Sequence, residues 1–325
     1  MPRITYAEAF IDGIRSVLAE DPTLTVVGRD ILGVGATRGY EKKLHADYAD
    51  RVIDPPTSEQ AITGLGIGAA MNGVHMFVHL GTANFSLEAC AQFVNEASVA
   101  RYMSNGQLSV PVTFHMFHGV RGGGAAQHSL SPQSMFANNA GLEVVLPSTA
   151  YDVKGLIRTA LKNPNPTMFL NHTRILGIES DVPAETYEIP FGKADVKRPG
   201  RDVTVVAFSR MVHRVLEAAE TLSKEGIEVE LIDPRTAEPL DADAICASVE
   251  KTGRLVTVEE SIQSCSVSSE VGSLVAERAF GALKAPIVRL ARKATPVPYS
   301  PPLEEFITPM PDDIVRAVRR AMGKG

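Results

Sequence analysis

Two α/β domains with open, mostly parallel, doubly wound sheets are the fold class this sequence predicts. Three observations carry that expectation. Short β-type apolar runs alternate with stretches of helical period over residues 24–170, the pattern of a parallel sheet covered on both faces. Over residues 183–200 the alternation breaks into Pro, Gly and charge, which reads as a linker. A second alternating unit follows, and 325 residues suffice for two cores. The expected domains are therefore residues 1–183 and 201–325, joined by 184–200.

Residues 6–19 read as a helix, with Phe10, Ile14 and Leu18 at helical spacing and Asp21-Pro22 ending it. A short β-rich segment at 24–27 leads into a glycine-rich loop over 28–36. Pro55 and Pro56 hold the chain extended, so Thr57 or Ser58 can cap a helix running to Gly73. Glu59 then opens an otherwise almost uncharged, buried helix. Gly64, Gly66 and Gly68 each cost that helix about 1 kcal/mol relative to Ala, tolerable where a backbone or ligand comes close. A strand at 76–80, a turn at 81–85 and one helix of small residues over 86–103 come next. A strand at 110–117 feeds a mobile loop, Gly119-Val120-Arg121-Gly122-Gly123-Gly124. Strands at 142–147 and 167–170 flank a helix at 150–162. The second unit carries strands at 203–208, 227–233, 255–259 and 287–290, with helices near 212–224, 241–250, 267–280 and 312–322.

Composition narrows the function classes. The chain is 44 % hydrophobic and 22 % charged with mean hydropathy +0.02, ordinary for a globular protein. A net charge of −6 and a pI near 5.8 supply no basic field for nucleic acid. No apolar run approaches a membrane span, and the first residues enter an amphipathic pattern without a signal peptide; the expected compartment is the cytoplasm. Cys90, Cys246 and Cys265 are too scattered for a disulfide framework or a zinc site.

Several motifs invite chemistry. Glu59 is a candidate carboxylate, although the helix dipole alone also favours an acid in a first turn. Gly64-x-Gly66-x-x-Ala69 imitates a dinucleotide fingerprint, but it lies inside a helix and lacks the strand-to-helix turn that cradles phosphate. His75 and His79 have helix-type metal spacing in a strand-like run, where four residues span about 13 Å. His115 and His118 read as partly buried structural histidines. The run Arg289-Leu290-Ala291-Arg292-Lys293 reads as a solvated surface. His128 follows a flexible loop and precedes a helix, where an imidazole can exchange protons near neutral pH; catalytic and structural roles both stand at this point.

Taken together, the stretch 54–73, Asn84-Phe85-Ser86, Tyr102-Met103-Ser104-Asn105-Gly106, Gln127-His128-Ser129 and Asp152-Val153-Lys154-Gly155-Leu156 resemble the β subunit of the E1 component of 2-oxo acid dehydrogenases. Asp233-Pro234-Arg235-Thr236, Pro239-Leu240-Asp241, the stretch 251–256 and Val297-Pro298-Tyr299 continue the series. The order is collinear over essentially the whole chain. The resemblance implies a pyrimidine-binding domain for thiamine diphosphate followed by a transketolase-type C-terminal domain. It places Glu59 on N1′ of the aminopyrimidine, Phe85 against that ring, and Gln60 and Gly81 beside the cofactor. His128 assists acyl transfer to the lipoyl arm of E2. An α subunit, in an α2β2 heterotetramer, is implied to hold the diphosphate and Mg²⁺, and no Gly-Asp-Gly occurs in this chain. A loop near Asn163 and Asn165 is implied as a monovalent-cation site. The implied substrate is a 2-oxo acid or an acyloin such as acetoin; the small Gly81 and Thr82, which replace bulkier residues beside the cofactor, leave a substrate bulkier than pyruvate open. Ala91 stands where the family commonly has aspartate, and Glu238 where a basic or aliphatic residue is frequent. Two alternatives stay open: a split transketolase-like or carboligating enzyme without E2, and a non-catalytic partner subunit.

Overall fold

The computed structural model describes residues 1–28 and 40–324, so the glycine-rich loop expected at 28–36 lies, beyond Gly28, outside the described residues. The chain forms two compact units, Met1–His118 with Met135–Phe191, and Gly119–Ser134 with Gly192–Gly325.

The first unit opens with β1 (Arg3–Thr5) and α1 (Tyr6–Glu20), then β2 (Thr25–Gly28), α2 (Tyr40–Asp47), β3 (Val52–Ile53) and α3 (Glu59–Met71). It continues through β4 (Met76–Thr82), α4 (Ala100–Met103), β5 (Val112–His118), α5 (Gln133–Ala137), β6 (Glu143–Val145), α6 (Ala150–Lys162), β7 (Thr167–His172) and β8 (Glu179–Asp181). Thr5 and Glu8 close a capping box that starts α1. Within this unit the strands run β6-β7-β5-β4-β2-β3, all parallel. The small β1 and β8 pair antiparallel apart from them.

Helices cover both faces of this sheet, as parallel strands require. On one face α1 lies against α6. A Cβ on Gly13 would sit 2.4 Å from Ile157 Cγ2 and 3.1 Å from the Lys154 carbonyl, so the glycine sets how closely the helices approach. On the other face Gly66 of α3 rests on β4, where a Cβ would lie 2.5 Å from Val78 Cγ2. Gly64 and Gly68 have nothing within 4 Å of their would-be Cβ atoms, and Leu65 is 53 % exposed. The expectation of a buried α3 is thus corrected: the helix buries one face and leaves Ala61, Gly64, Leu65 and Gly68 outward.

The single helix expected over 86–103 is instead a 3-10 turn (Phe85–Ala89), a π turn (Gln92–Ala97) and α4. Ala89, Phe93 and Ala97 are all buried at a spacing of four. Phe93 anchors the segment edge-on to Phe114 of β5, with ring centroids 4.8 Å apart.

The second unit comprises β9 (Asp195–Arg198), β10 (Val203–Ala207), α7 (Arg210–Lys224), β11 (Val229–Asp233), β12 (Thr236–Glu238) and α8 (Ala242–Thr252). It ends with β13 (Leu255–Ile262), α9 (Val267–Arg278), β14 (Val288–Arg292), α10 (Pro301–Ile307) and α11 (Pro311–Ala321). Its sheet runs β14-β13-β10-β11-β9, parallel except for β9, which pairs antiparallel with β11. The expected linker therefore contains an edge strand. Asp195-Val196-Lys197-Arg198 has no apolar alternation, and its place comes from the backbone of β11.

Gly13→Val is expected to cost about 1–3 kcal/mol, because the branched side chain must displace Ile157 and meets the Lys154 backbone. A lower unfolding midpoint checks this, and an unchanged midpoint contradicts the packing described.

Candidate functional site

The carboxyl ends of parallel strands are where open α/β sheets bind ligands. In the first unit two chain segments meet that edge. One leaves β3 through Asp54-Pro55-Pro56 and enters α3 at Glu59. Ser58 is the N-cap at φ −162° and ψ 100°, its Oγ accepting from the Ala61 amide at 3.4 Å. The capping read from the Thr57-Ser58 pair thus falls on Ser58. Glu59 is half-buried and Gln60 exposed, in the first turn where the helix dipole favours a carboxylate.

The other segment leaves β4. Register with β5 shifts between His79 and Thr82, and Gly81 sits at φ +71°, a left-handed conformation that suits glycine. This bulge ends the strand and re-aims the chain. The Ala83 amide then donates to the Phe117 carbonyl at 2.8 Å, and Ser86 Oγ donates back to the Ala83 carbonyl at 2.7 Å. Phe85 opens the 3-10 turn half-buried, and that turn packs against α3. Glu59, Gln60, Gly81 and Phe85 therefore share one edge of one unit. Asn163 and Asn165 do not: they precede β7, at the amino edge. Asn163 Nδ2 donates to Glu143 and to Thr167 Oγ1, and Arg101 Nη1 reaches Asn165 Oδ1 at 3.5 Å.

His128 belongs to the second unit, at the end of a 3-10 turn (Ala126–His128), and is exposed. The loop before it was expected to be mobile; hydrogen bonds tether it. The Val120 amide donates to Glu260 Oε1 at 2.7 Å, Arg210 Nη1 donates to the Val120 carbonyl at 3.3 Å, and the Gly123 amide donates to Glu304 Oε1 at 2.9 Å. Gln133 Nε2 donates to Glu259 Oε1 at 2.8 Å at its far end. Ala125 holds φ +51° directly before the turn, a strained conformation of the kind that collects at functional sites. A Cβ on Gly124 would lie 2.4 Å from Arg121 Cγ and 2.8 Å from Ser129 Oγ, so only glycine fits there.

Arginines and carboxylates meet around Glu260. Burial pushes the Arg214 guanidinium down to about 10, with Arg210 lowering it further and Glu260 opposing. Burial also lowers Arg292, against the attraction of Glu260, and burial alone lowers Arg121. Glu260 lies 3.8 Å from Arg210. The anchors Glu260 and Glu304 escaped the sequence reading, since no local spacing links them to residues 120 and 123. His115 and His118 are fully buried, more so than expected, with His118 edge-on to His172 at 5.2 Å.

Two α/β units of this topology define a transketolase-like class of protein. The pyrimidine binding domain of transketolase matches residues 2–178, and the transketolase C-terminal domain matches 192–314. The chain is 41 % identical to the β subunit of an acetoin:2,6-dichlorophenolindophenol oxidoreductase of Cupriavidus necator, covering 98 % of this chain and 97 % of that one. It is 38 % identical to the 2-oxoisovalerate dehydrogenase subunit beta of Bacillus subtilis, covering 98 % of each, and 39 % identical to a mitochondrial pyruvate dehydrogenase E1 subunit beta-1 of Oryza sativa, covering 98 % and 86 %. A split-gene transketolase, solved as an inactive β4 tetramer, shares the fold at TM-score 0.81 and 22 % identity, over 98 % of each chain. The chain belongs to the family of E1 β subunits of acetoin and 2-oxo acid dehydrogenases. Among the described residues no helix is long and apolar enough to cross a membrane.

Glu260→Ala is expected to destabilise the protein by about 2–4 kcal/mol, since it strands the Val120 amide and leaves Arg210, Arg214 and Arg292 without their buried carboxylate. Glu260→Gln, which keeps an acceptor, is expected to lose less. Denaturant unfolding of both variants checks the order.

Proposed function

We propose that this chain supplies the pyrimidine half of a thiamine-diphosphate site completed by an α subunit, in an enzyme that decarboxylates a 2-oxo acid or cleaves an acyloin and passes the acyl group to lipoamide of an E2. The observation that carries the reading is Glu59 opening α3 at the sheet edge that also receives Phe85. A half-buried carboxylate, a half-buried flat ring and a glycine without side chain form a donor set suited to an aminopyrimidine. Thr63 Oγ1, fully buried one turn beyond Glu59, has no hydrogen-bond partner among the described residues.

When bound, thiamine diphosphate would supply a thiazolium carbon that, once deprotonated, is nucleophilic toward a substrate carbonyl. Glu59 holds a proton at N1′ of the aminopyrimidine. Phe85 keeps water from one face of that ring, and the missing side chain at Gly81, followed by the small Thr82, leaves room for a substrate larger than pyruvate. Gln60 lines the same edge. His128, on its tethered loop, holds a proton for transfer to the lipoyl arm. The α subunit holds the diphosphate and Mg²⁺, and two copies of each chain make the heterotetramer, in the cytoplasm. A monovalent cation near Asn163 and Asn165 has a structural role, at the amino edge of the sheet.

Co-expression with an α chain, followed by assay of pyruvate, branched 2-oxo acids and acetoin, tests the assignment; an assembly that binds no thiamine diphosphate contradicts it. Glu59→Gln is expected to slow exchange of the cofactor C2 proton by about 10²- to 10⁴-fold, the range for losing a positioned acid–base group. An unchanged exchange rate removes Glu59 from the mechanism. His128→Ala is expected to impair acylation of a lipoyl domain more than turnover with an artificial electron acceptor. Equal losses in the two assays count against that role.

A further inference from the structure

The loop that leads to His128 is built on the segment 297–307 of the same unit. Gly119, Gly122 and Gly123 hold φ +82°, +85° and +80°, and Ala125 holds φ +51°. Backbone of this kind joins no helix or strand ladder, so outside contacts must fix its position. The Gly119 amide donates to the Leu130 carbonyl at 2.9 Å and draws the two ends of the loop together. Between those ends the buried Val120 side chain forms an apolar cluster with Val297 and Ile307, apart from the main core of the unit. Three residues on, the Gly123 amide donates to Glu304 Oε1 at 2.9 Å. A Cβ on Gly123 would come 3.8 Å from Tyr299 Cε2, so that ring lies in contact range of the same backbone. Val297, Tyr299, Glu304 and Ile307 thus grip the loop at positions 120 and 123.

Glu304 is the unusual member of that set. It is 5 % exposed, whereas Leu303 and Phe306 of the same short helix are 52 % and 67 % exposed. Glu304 and Ile307 stand three residues apart on one helix face, so the carboxylate and the apolar anchor meet the loop together. The helix holds the carboxylate steady: the Glu304 amide donates to the Ser300 carbonyl at 2.9 Å, and Thr308 donates to the Glu304 carbonyl from its amide at 3.1 Å and its hydroxyl at 2.7 Å. A carboxylate shut away from water costs free energy that an apolar side chain beside Ile307 would not. The charge-assisted bond to the Gly123 amide offsets that cost and has a direction that apolar packing lacks. Past His128 the chain is fixed again. Gln133 Nε2 donates to Glu259 Oε1 at 2.8 Å, and the Ser268 amide donates to Glu259 Oε2 at 2.9 Å. His128 stands five residues after Gly123 and five before Gln133, between two carboxylate-held points.

We propose that Glu304 is a positioning residue for His128: with Val120 seated on Val297 and Ile307, its bond to the Gly123 amide holds the loop in the conformation that presents the imidazole. Glu304 acts through the backbone of the loop, so the step that uses His128 depends on it and the steps assigned to Glu59 lose less when it is removed. The identity of the dependent step, acylation of a lipoyl arm, rests on the functional reading above; the hold on the loop does not.

Amide hydrogen exchange of the full chain, read by mass spectrometry, tests the hold. Glu304→Ala is expected to raise exchange in peptides within residues 119–130 by about 10- to 100-fold, the ratio that a hydrogen bond to a charged group maintains, while peptides of β10 and β13 keep wild-type rates. Glu304→Gln keeps an acceptor oxygen and is expected to recover most of the protection. Unchanged loop exchange in Glu304→Ala overturns the proposal. Val120→Ala loosens the loop from the other side of the contact and leaves α10 intact. It decides the case if Glu304→Ala loses the fold of the second unit: released loop exchange supports the proposal and wild-type exchange overturns it. In the assembly with an α chain, acylation of a lipoyl domain is expected to fall about tenfold or more in both variants, and turnover with an artificial electron acceptor to fall less. Equal losses in the two assays overturn the link to His128. A residue that acts through His128 has nothing further to lose once the imidazole is gone, so His128→Ala and the double variant H128A/E304A are expected to acylate at the same rate. Losses that multiply mark a general structural role and overturn the positioning one. A wild-type assembly that acylates no lipoyl domain removes the functional reading, and loop exchange in Glu304→Ala and Glu304→Gln still decides the hold.

Discussion

Burial of β4 and β5 on both faces is the constraint on which the first unit depends. Every residue of β5 is buried, and all of β4 except Gly81. A parallel sheet can be buried in this way only when helices cover both sides, and each cover here is admitted by a glycine: Gly13 where α1 meets α6, and Gly66 where α3 meets β4. Because the strands are held from both sides, the chain leaving their carboxyl ends has a fixed starting point. The bulge at Gly81 and the turn at Phe85 inherit that rigidity.

The second unit solves a different problem. A loop with four glycines in six residues has high conformational freedom, yet the loop before His128 is held by carboxylates of β13 and α10. Amide groups at 120 and 123 are satisfied by Glu260 and Glu304, and Glu260 also offsets the buried arginines beneath. The loop is thereby supported by side chains more than a hundred residues away. That arrangement combines backbone freedom for an unusual conformation, at Ala125, with a defined position.

Membership in the E1 β family joins these two units to one kind of chemistry, and the local signals agree with it. The Pro55-Pro56-Thr57-Ser58-Glu59 sequence was readable because capping and proline stiffness act over three or four residues. Ser58 caps α3 and Glu59 opens it. The alternation of strands and helices was readable for the same reason, each period being a property of neighbouring residues. Phe93 was not: its π turn answers to Phe114 on β5 and Phe136 of α5, which a helical period cannot register. Strand β9 was likewise hidden, since its pairing comes from β11 and its own residues carry no strand pattern.

By itself the sequence determined the two-unit α/β class, the start of α3 at an acidic residue, and the glycine loop leading to His128. All of these rest on short-range chain stiffness, capping and periodicity. The tertiary structure alone decided that His79 and His115 share a hydrogen bond, that Asn163 and Asn165 occupy the edge opposite Glu59, and that Glu260 and Glu304 tether the loop. Those outcomes depend on strand register and on which distant groups are shut away from water together, and neither is written in the spacing of residues along the chain.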